Sequence, residues 1–127
     1  MKKKILPLIM AALFLSGCTG GTENAGYRQI TMNEAVEMME RESGYIILDV
    51  RTAEEFAAGH IPGAVNGPNE SIGSEVVEEL PDKEQLILVY CRSGNRSKQA
   101  SEKLVALGYS NIVEFGGINS WPGEIVF

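Results

Sequence analysis

The chain is poor in the residues that metal sites and disulfide frameworks require. Its 127 residues include two cysteines, one histidine and one tryptophan. A single histidine and so few thiols cannot form the ligand cluster of a typical metal site. Two cysteines allow one disulfide at most, and so they do not form a disulfide framework. The sequence therefore predicts no bound metal and a fold held by its hydrophobic core.

Basic residues are also scarce. The chain has 11 lysines and arginines against 17 aspartates and glutamates, and three of the lysines stand together at residues 2–4. Without residues 1–17 the balance is 8 basic against 17 acidic residues, a net charge of −9. Affinity for nucleic acid comes from neutralised phosphates. A chain with this charge is not expected to bind nucleic acid.

No apolar run is long enough to span a bilayer. The longest begins after the three lysines, at residues 5–15, whereas a spanning helix needs about 20 residues. A charged start, a short apolar core and small residues before a cysteine are typical of an export signal. Leu15-Ser-Gly-Cys18 resembles the lipobox of bacterial lipoproteins. That resemblance implies a signal peptide at 1–17, cleavage before Cys18 and lipid on its sulfur.

Lipidation of Cys18 would place the protein outside the cytoplasm. The expected location is the outer face of the bacterial cell membrane, or the outer membrane if the cell has one. Residues 18–26, with glycine, threonine, glutamate and asparagine, are expected to form a flexible tether. Cys91 would then be a lone free thiol in an exported protein, a feature that indicates reactivity. A disulfide between Cys18 and Cys91 is the alternative that the lipobox disfavours.

The remaining chain, residues 27–127, has the length of one domain. Apolar periodicity alternates between helix and strand along it, and Thr31 and Thr52 each begin a capping-box pattern with a glutamate three residues later. The predicted elements are helices at 31–41, 52–58, 70–80 and 97–107, and strands at 45–48, 64–65, 86–90 and 111–115.

Continuous apolar strands between helices predict an α/β fold with a mainly parallel sheet covered by helices on both faces. Ligands of such sheets bind beyond the carboxyl ends of the strands. Cys91 follows the strand at 86–90 and lies at that edge. The loop after it contains Arg92 and Arg96, and a helix follows the loop. Backbone N–H groups, the helix dipole and the arginines would all favour a thiolate and an anionic ligand.

Five motifs in order along the chain give a resemblance to the rhodanese homology domain. They are Asp49-Val-Arg51, Glu55-Phe56, Gly59-His-Ile-Pro-Gly-Ala64 with Asn66, Cys91-Arg-Ser-Gly-Asn-Arg-Ser97 and Gly116-Gly-Ile-Asn-Ser-Trp-Pro122. The resemblance covers nearly all of residues 27–127. It implies a rhodanese-like fold with a parallel sheet of about five strands wrapped by helices.

The same resemblance implies a sulfurtransferase whose Cys91 carries sulfur as a persulfide. A small anionic donor such as thiosulfate would supply the sulfur, and a thiol or cyanide would accept it, with no cofactor required. A thiol-redox protein is a further partner that this chemistry allows. The residues expected to bind the substrate are the six that follow Cys91 in its motif: Arg92, Ser93, Gly94, Asn95, Arg96 and Ser97. His60 is expected in a structural turn, and Asp49 with Arg51 in an ion pair that shapes the site.

Two other functions compete with sulfur transfer. Phosphatases and arsenate reductases with a rhodanese fold resemble a pattern with five residues between cysteine and arginine. Here four residues separate Cys91 from Arg96, and the shorter loop favours a pocket for a sulfur atom. The other alternative is a non-catalytic binding module, which the retained cysteine and the full loop disfavour.

Overall fold

A computed structural model of the chain describes residues 22–24, 26–73 and 77–127, with only the backbone given at 22–24. The predicted signal peptide at 1–17 and the predicted lipid site at Cys18 lie outside these ranges. None of the helices in the described ranges combines the length and apolar character that a bilayer crossing requires.

Within the described ranges, six strands form one sheet in the order β1-β2-β6-β5-β3-β4. All neighbouring strands run parallel except β1, which pairs antiparallel with β2 at the edge. Five strands are therefore parallel, as the sequence predicts. Their bounds are β1 Thr22–Asn24, β2 Tyr27–Gln29, β3 Ile46–Asp49, β4 Val65–Asn66, β5 Ile87–Cys91 and β6 Ile112–Gly117.

In the part of the chain that the structure describes, three α-helices connect the strands: α1 at Met32–Arg41, α2 at Ala53–Ala57 and α3 at Asn95–Ala106. Complete capping boxes begin both α1 and α2, with Thr31 and Thr52 as the N-cap residues. In each box the threonine hydroxyl and the glutamate carboxyl satisfy backbone N–H groups that the first turn leaves without helical partners. The capping-box predictions are confirmed.

The helices cover both faces of the sheet, and each face has its own hydrophobic core. On one face Ala100 and Leu104 of α3 pack against strand residues that include Leu48 and Val89. On the other face Ala35 and Met38 of α1 belong to the second core, with strand residues of that face. Because both faces are buried, the central strand β5 is apolar at four successive positions before its cysteine, and every residue in it is buried.

The helix predicted at 70–80 is wrong over residues 70–73 and 77–80, and residues 74–76 lie outside the described ranges. The described residues form a 3-10 turn at Asn69–Ser71, with extended backbone at Ile72, and a turn before Leu80. Asn69 donates its backbone N–H to the Val50 carbonyl, while Ile72 and Leu80 are buried in the same core. These tertiary contacts, together with the low helix propensity of Gly73, override the helical pattern.

Several boundaries also differ by one or two residues from the sequence prediction, and two of these lie at the cysteine loop. The strand predicted at 86–90 extends to Cys91, and α3 begins at Asn95 instead of residue 97. Three residues of the segment predicted as a tether, Thr22–Asn24, pair with β2 as β1. This pairing covers the side of β2 that β6 leaves open.

Candidate active site

Cys91 lies where β5 ends, and three residues separate it from the start of α3. Gly94, the N-cap of α3, has φ +117°, a left-handed conformation that favours glycine. This conformation turns the loop back over the cysteine, so that the Gly94 N–H donates to Cys91 Sγ at 3.0 Å. The N-terminus of a twelve-residue helix therefore faces a sulfur atom.

The surroundings of Cys91 favour its ionised form. Burial raises the pKa of the Cys91 thiol. Hydrogen bonds from the Ser97 side chain and from the backbone of Ser97, Gly94 and Ser93 lower it. The hydrogen bonds outweigh burial, so the pKa of Cys91 lies below its ordinary value. The residue is 1% exposed. A thiolate here would be held by backbone dipoles fixed in place by the fold.

The two loop arginines differ in their surroundings. Arg96 makes two hydrogen bonds to Glu55 of α2, from Nη1 to Oε1 at 2.8 Å and from Nη2 to Oε2 at 3.1 Å. Arg92 lies 3.9 Å from the same carboxylate, and its side chain is 66% exposed. Arg96 thus fastens the loop to α2, while Arg92 remains open to solvent and to an approaching anion.

A bulge in β6 places a carboxyl group beneath the loop. Val89 of β5 pairs with Glu114, but Cys91 pairs with Gly117, so β6 has one residue more than β5 between the two pairs. Gly116 lies in the bulge with φ +98°, and its N–H donates to Glu114 Oε2 at 2.9 Å. The same oxygen accepts a hydrogen bond from the Ser97 hydroxyl at 2.5 Å. Glu114 is only 2% exposed.

Asp49 and Arg51 form the ion pair that the sequence predicts, at 2.6 Å between Asp49 Oδ2 and Arg51 Nη2. The same carboxylate oxygen accepts the Tyr90 hydroxyl at 2.6 Å, and Arg51 Nη2 also donates to the Gly59 carbonyl at 2.7 Å. This network joins the end of β3 to β5 and to the turn after α2. His60, in that turn, stacks on Phe56 with ring centroids 3.7 Å apart.

A cavity of about 270 Å³ lies beside the loop. Two arginines, Arg51 and Arg92, line it together with Glu55, Gly59 and Asn119. It is large enough for a small anion, and it carries cationic groups from both the loop and the end of β3. Among the described residues there is no group of three or more histidine, cysteine, aspartate or glutamate side chains that could hold a metal ion.

The structure brings together most of the residues singled out in the sequence. Cys91, Gly94 and Ser97 are buried around the sulfur, whereas Arg92, Ser93 and Asn95 are exposed on the outside of the loop. Two contacts were not foreseen. The sequence predicts Glu55 only as a capping residue and as part of a motif, and it predicts no role for Glu114. The signal for Glu114 is a carboxylate inside an apolar strand before two glycines.

A parallel α/β sheet with a buried cysteine at a strand end, inside a loop of backbone N–H groups, defines a rhodanese-type domain. The family model described as "Rhodanese-like domain" matches residues 31–124. This match covers most of the chain, and the chain belongs to that family.

Relatives and solved structures agree with the family match. The chain is 33% identical to thiosulfate sulfurtransferase GlpE of Pseudomonas entomophila over 103 residues, which are 77% of this chain and 91% of the relative. It is 37% identical over 93 residues to adenylyltransferase and sulfurtransferase UBA4 of Meyerozyma guilliermondii, covering 67% of this chain but 22% of that longer protein. A solved structure, "rhodanese with anions from E. coli", is similar with a TM-score of 0.59 and 32% identity, covering 65% of this chain and 96% of the other.

Proposed function

We propose that this protein is a sulfurtransferase that moves a sulfane sulfur from an anionic donor, such as thiosulfate, to a thiophilic acceptor. The observation that carries the proposal is the Gly94 N–H directed at Cys91 Sγ at 3.0 Å, at the N-terminus of α3. A relative that is 33% identical over most of its length is named a thiosulfate sulfurtransferase. This name supports thiosulfate as the donor to test first.

The proposed reaction has two displacement steps. The Cys91 thiolate attacks the outer sulfur of thiosulfate, the sulfur–sulfur bond of the donor breaks, and sulfite leaves with the bonding electron pair. The outer sulfur of the resulting persulfide carries negative charge, which the N–H groups of the loop can stabilise. An acceptor, cyanide or a thiolate, then attacks that sulfur and returns Cys91 to its thiolate form.

The arginines would assist the donor in different ways. Arg92 is exposed and lines the cavity beside the loop, so it can meet the sulfonate oxygens of an entering anion. Arg96 is already held by two hydrogen bonds to Glu55. A role for Arg96 in binding the donor stays a prediction, and its contacts favour a role in holding the loop closed.

Burial of the cysteine favours sulfur transfer over phosphate-ester hydrolysis. Cys91 is 1% exposed, and four residues separate it from Arg96. A buried thiol in a short loop suits one additional sulfur atom better than a tetrahedral phosphoryl group. We keep the phosphatase and the non-catalytic module as outcomes that the experiment below distinguishes.

The experiment is mass spectrometry of the reduced full chain after exposure to thiosulfate. We expect a gain of about 32 Da, one sulfur atom, on the peptide that contains Cys91, and its loss on adding cyanide. Cys91→Ser should remove the adduct and the production of thiocyanate while leaving the fold intact. Cys18→Ser, which changes the other cysteine, is the matched control and should keep both.

Three results would count against the proposal. Thiocyanate production by Cys91→Ser would show that another group carries the sulfur. Hydrolysis of an aryl phosphate without a sulfur adduct would favour the phosphatase. A chain that gives neither product would favour the binding module.

We also propose that the protein is exported and held at a membrane by lipid on Cys18. The lysines at 2–4, the apolar residues at 5–15 and the lipobox-like residues before Cys18 support this location. A sulfurtransferase in that place would work beside thiol-redox proteins, which are candidates for delivering or accepting the sulfur.

A further inference from the structure

Glu114 is a buried acidic side chain that the proposed reaction does not use. It is 2% exposed, and within the described residues no lysine or arginine forms a salt bridge with it. Burial of a carboxylate without a cation is costly unless hydrogen bonds replace the lost water. A leucine in β6 would fill the same core without this cost. The position of Glu114 under a reactive cysteine therefore requires an explanation beyond stability.

The described polar neighbours of the Glu114 carboxyl group are all donors. Oε2 accepts from the Gly116 N–H at 2.9 Å and from the Ser97 hydroxyl at 2.5 Å, and Oε1 accepts from Gln29 Nε2 at 3.3 Å. Donors therefore meet both oxygens of the carboxyl group, and they compensate for the water lost on burial.

Ser97 has only one hydroxyl hydrogen to give. Its acceptors are Glu114 Oε2 at 2.5 Å, the Gly94 carbonyl at 3.0 Å and the Gly116 carbonyl at 3.4 Å. The Glu114 carboxyl oxygen is the nearest of the three. When the hydroxyl hydrogen lies toward Glu114, Ser97 Oγ turns a lone pair toward Cys91, whose thiol donates to Ser97 Oγ at 3.5 Å.

We propose that Glu114 is a positioning residue for Cys91: it competes with the sulfur for the single hydroxyl hydrogen of Ser97, and so limits donation from Ser97 to the Cys91 thiolate. Ser97 can lower the pKa of Cys91 through its hydroxyl only when that hydrogen points at sulfur. Glu114 thus weakens one stabilising contact of the thiolate, while the backbone N–H groups of the loop stay in place.

This arrangement matters for sulfur transfer, and to that extent the inference rests on the proposed function. A thiolate that is stabilised more strongly is a weaker nucleophile, and the most effective attacking thiol has a pKa near the working pH. The loop and the helix dipole act to lower the pKa of Cys91. Glu114 opposes them through Ser97 and preserves the nucleophilicity of the sulfur.

Other charged groups lie around the loop, and their effects on Cys91 must be distinguished from the effect of Glu114. On the outer side are Arg92 and Arg96, both near Glu55 of α2. Asp49, at the end of β3, is bound to Arg51 and to the Tyr90 hydroxyl, and Tyr90 belongs to the core on the other face of the sheet. Glu114 is thus the carboxylate that reaches the Cys91 side of the sheet from β6.

The test follows alkylation of Cys91 by iodoacetamide as a function of pH, read on the peptide that contains Cys91. Glu114→Gln removes the charge in a side chain of the same size. Glu114→Asp keeps the charge but shortens the side chain away from Ser97. In both variants we expect the pKa of Cys91 to fall by about one unit and the plateau rate at high pH to fall about threefold.

Glu102→Gln is the matched control, because Glu102 is an exposed carboxylate on α3. It should leave the alkylation profile of Cys91 unchanged. An unchanged profile in Glu114→Gln, or in Glu114→Asp, would overturn the proposal. If Glu114→Gln does not fold, Glu114→Asp is measured alone. A lower pKa of Cys91 in Glu114→Asp supports the proposal and an unchanged pKa overturns it, because this variant moves the carboxyl group without removing its charge.

A double-mutant cycle tests whether the effect passes through Ser97. In a Ser97→Ala background, Glu114→Gln should no longer shift the pKa of Cys91. An equal shift in both backgrounds would mean that Glu114 acts on the sulfur through space, and the positioning role would be wrong. Alkylation needs no sulfur donor, so this experiment can fail or succeed independently of sulfurtransferase activity.

Discussion

At the scale of single residues, Glu55 connects two parts of the site. Its Oε1 accepts the Thr52 N–H at 3.0 Å, which completes the capping box of α2, and both of its oxygens accept from Arg96 in the first turn of α3. The hydrogen bonds from Arg96 are the main reason that the pKa of Glu55 falls to about 2. One carboxylate therefore begins a helix and fastens the cysteine loop.

The lowered pKa of Glu55 predicts how stability changes with pH. A glutamate in an unfolded chain has a pKa of about 4.3, so the stabilisation is fully present above that value and is lost as the pH falls toward 2. We expect Glu55→Gln to lower the free energy of unfolding by about 1 kcal/mol at pH 7. Thermal unfolding measured from pH 5 to pH 2 checks this. The difference in stability between Glu55→Gln and the wild type should shrink as the pH falls across that range.

Glu34→Gln is the matched control for Glu55→Gln. Glu34 completes the other capping box, with Thr31, but no arginine of the described chain pairs with it. Glu34→Gln should lower the free energy of unfolding at pH 7 by less than Glu55→Gln does. Equal losses at pH 7 would show that capping, and not the contact with Arg96, accounts for the stabilisation.

At the scale of secondary-structure elements, the bulge of β6 sets the distance between the sheet and the loop. Gly117 pairs with Cys91, and a Cβ atom added to Gly117 would lie 2.0 Å from the Arg92 carbonyl oxygen and 2.6 Å from Ser93 Cα. These are backbone atoms that cannot move aside without moving the loop. The close approach requires glycine because no side chain fits between the strand and the loop.

We therefore expect Gly117→Ala to displace the loop from its position over the sulfur. Overpacking of this kind costs about 1–3 kcal/mol of stability, and a misplaced loop should slow sulfur transfer by at least about tenfold. Gly73→Ala is the control, because nothing lies within 4 Å of its added Cβ. Thermal unfolding and thiocyanate production, measured together, check both effects. A Gly117→Ala enzyme with normal activity would contradict the close contact.

The elements differ in how much of them the sequence could reveal. The starts of α1 and α2 were predictable because each capping box lies within four residues of chain. The strand before Cys91 was predictable because both of its faces are buried. The segment at 70–80 was not, because its backbone follows contacts with the end of β3 and with the core instead of its own helical pattern.

The site shows the same division between local and distant contacts. Cys91, Gly94 and Ser97 follow one another along the loop, and the pattern of strand, loop and helix places them together. Arg96 and Glu55 are 41 residues apart in the chain, and Ser97 and Glu114 are 17 apart. These pairs meet only because the sheet brings α2, α3 and β6 to one edge, and no local pattern could predict them.

At the scale of the whole molecule, the charges bear on how the protein would stay at a membrane. The chain from Cys18 onward has a net charge of −9, which an anionic lipid surface repels. The apolar residues at 5–15 are too few to span a bilayer. The attachment that we propose, by lipid on Cys18, therefore has to overcome this electrostatic repulsion. A single acyl chain binds only marginally, whereas the two or three chains of a lipoprotein bind firmly.

The proposed lipid anchor predicts where the full chain is found when it is expressed in a bacterial host. We expect it in the membrane fraction, resistant to washing with salt, because hydrocarbon burial and not charge would hold it. Detergent should release it, with the added mass of lipid on the peptide that begins at Cys18. Cys18→Ala should leave the membrane fraction, and Cys91→Ala, the matched cysteine substitution, should remain there. If Cys18→Ala stays with the membrane, lipid on Cys18 is not what holds the chain there, and the proposed anchor is wrong.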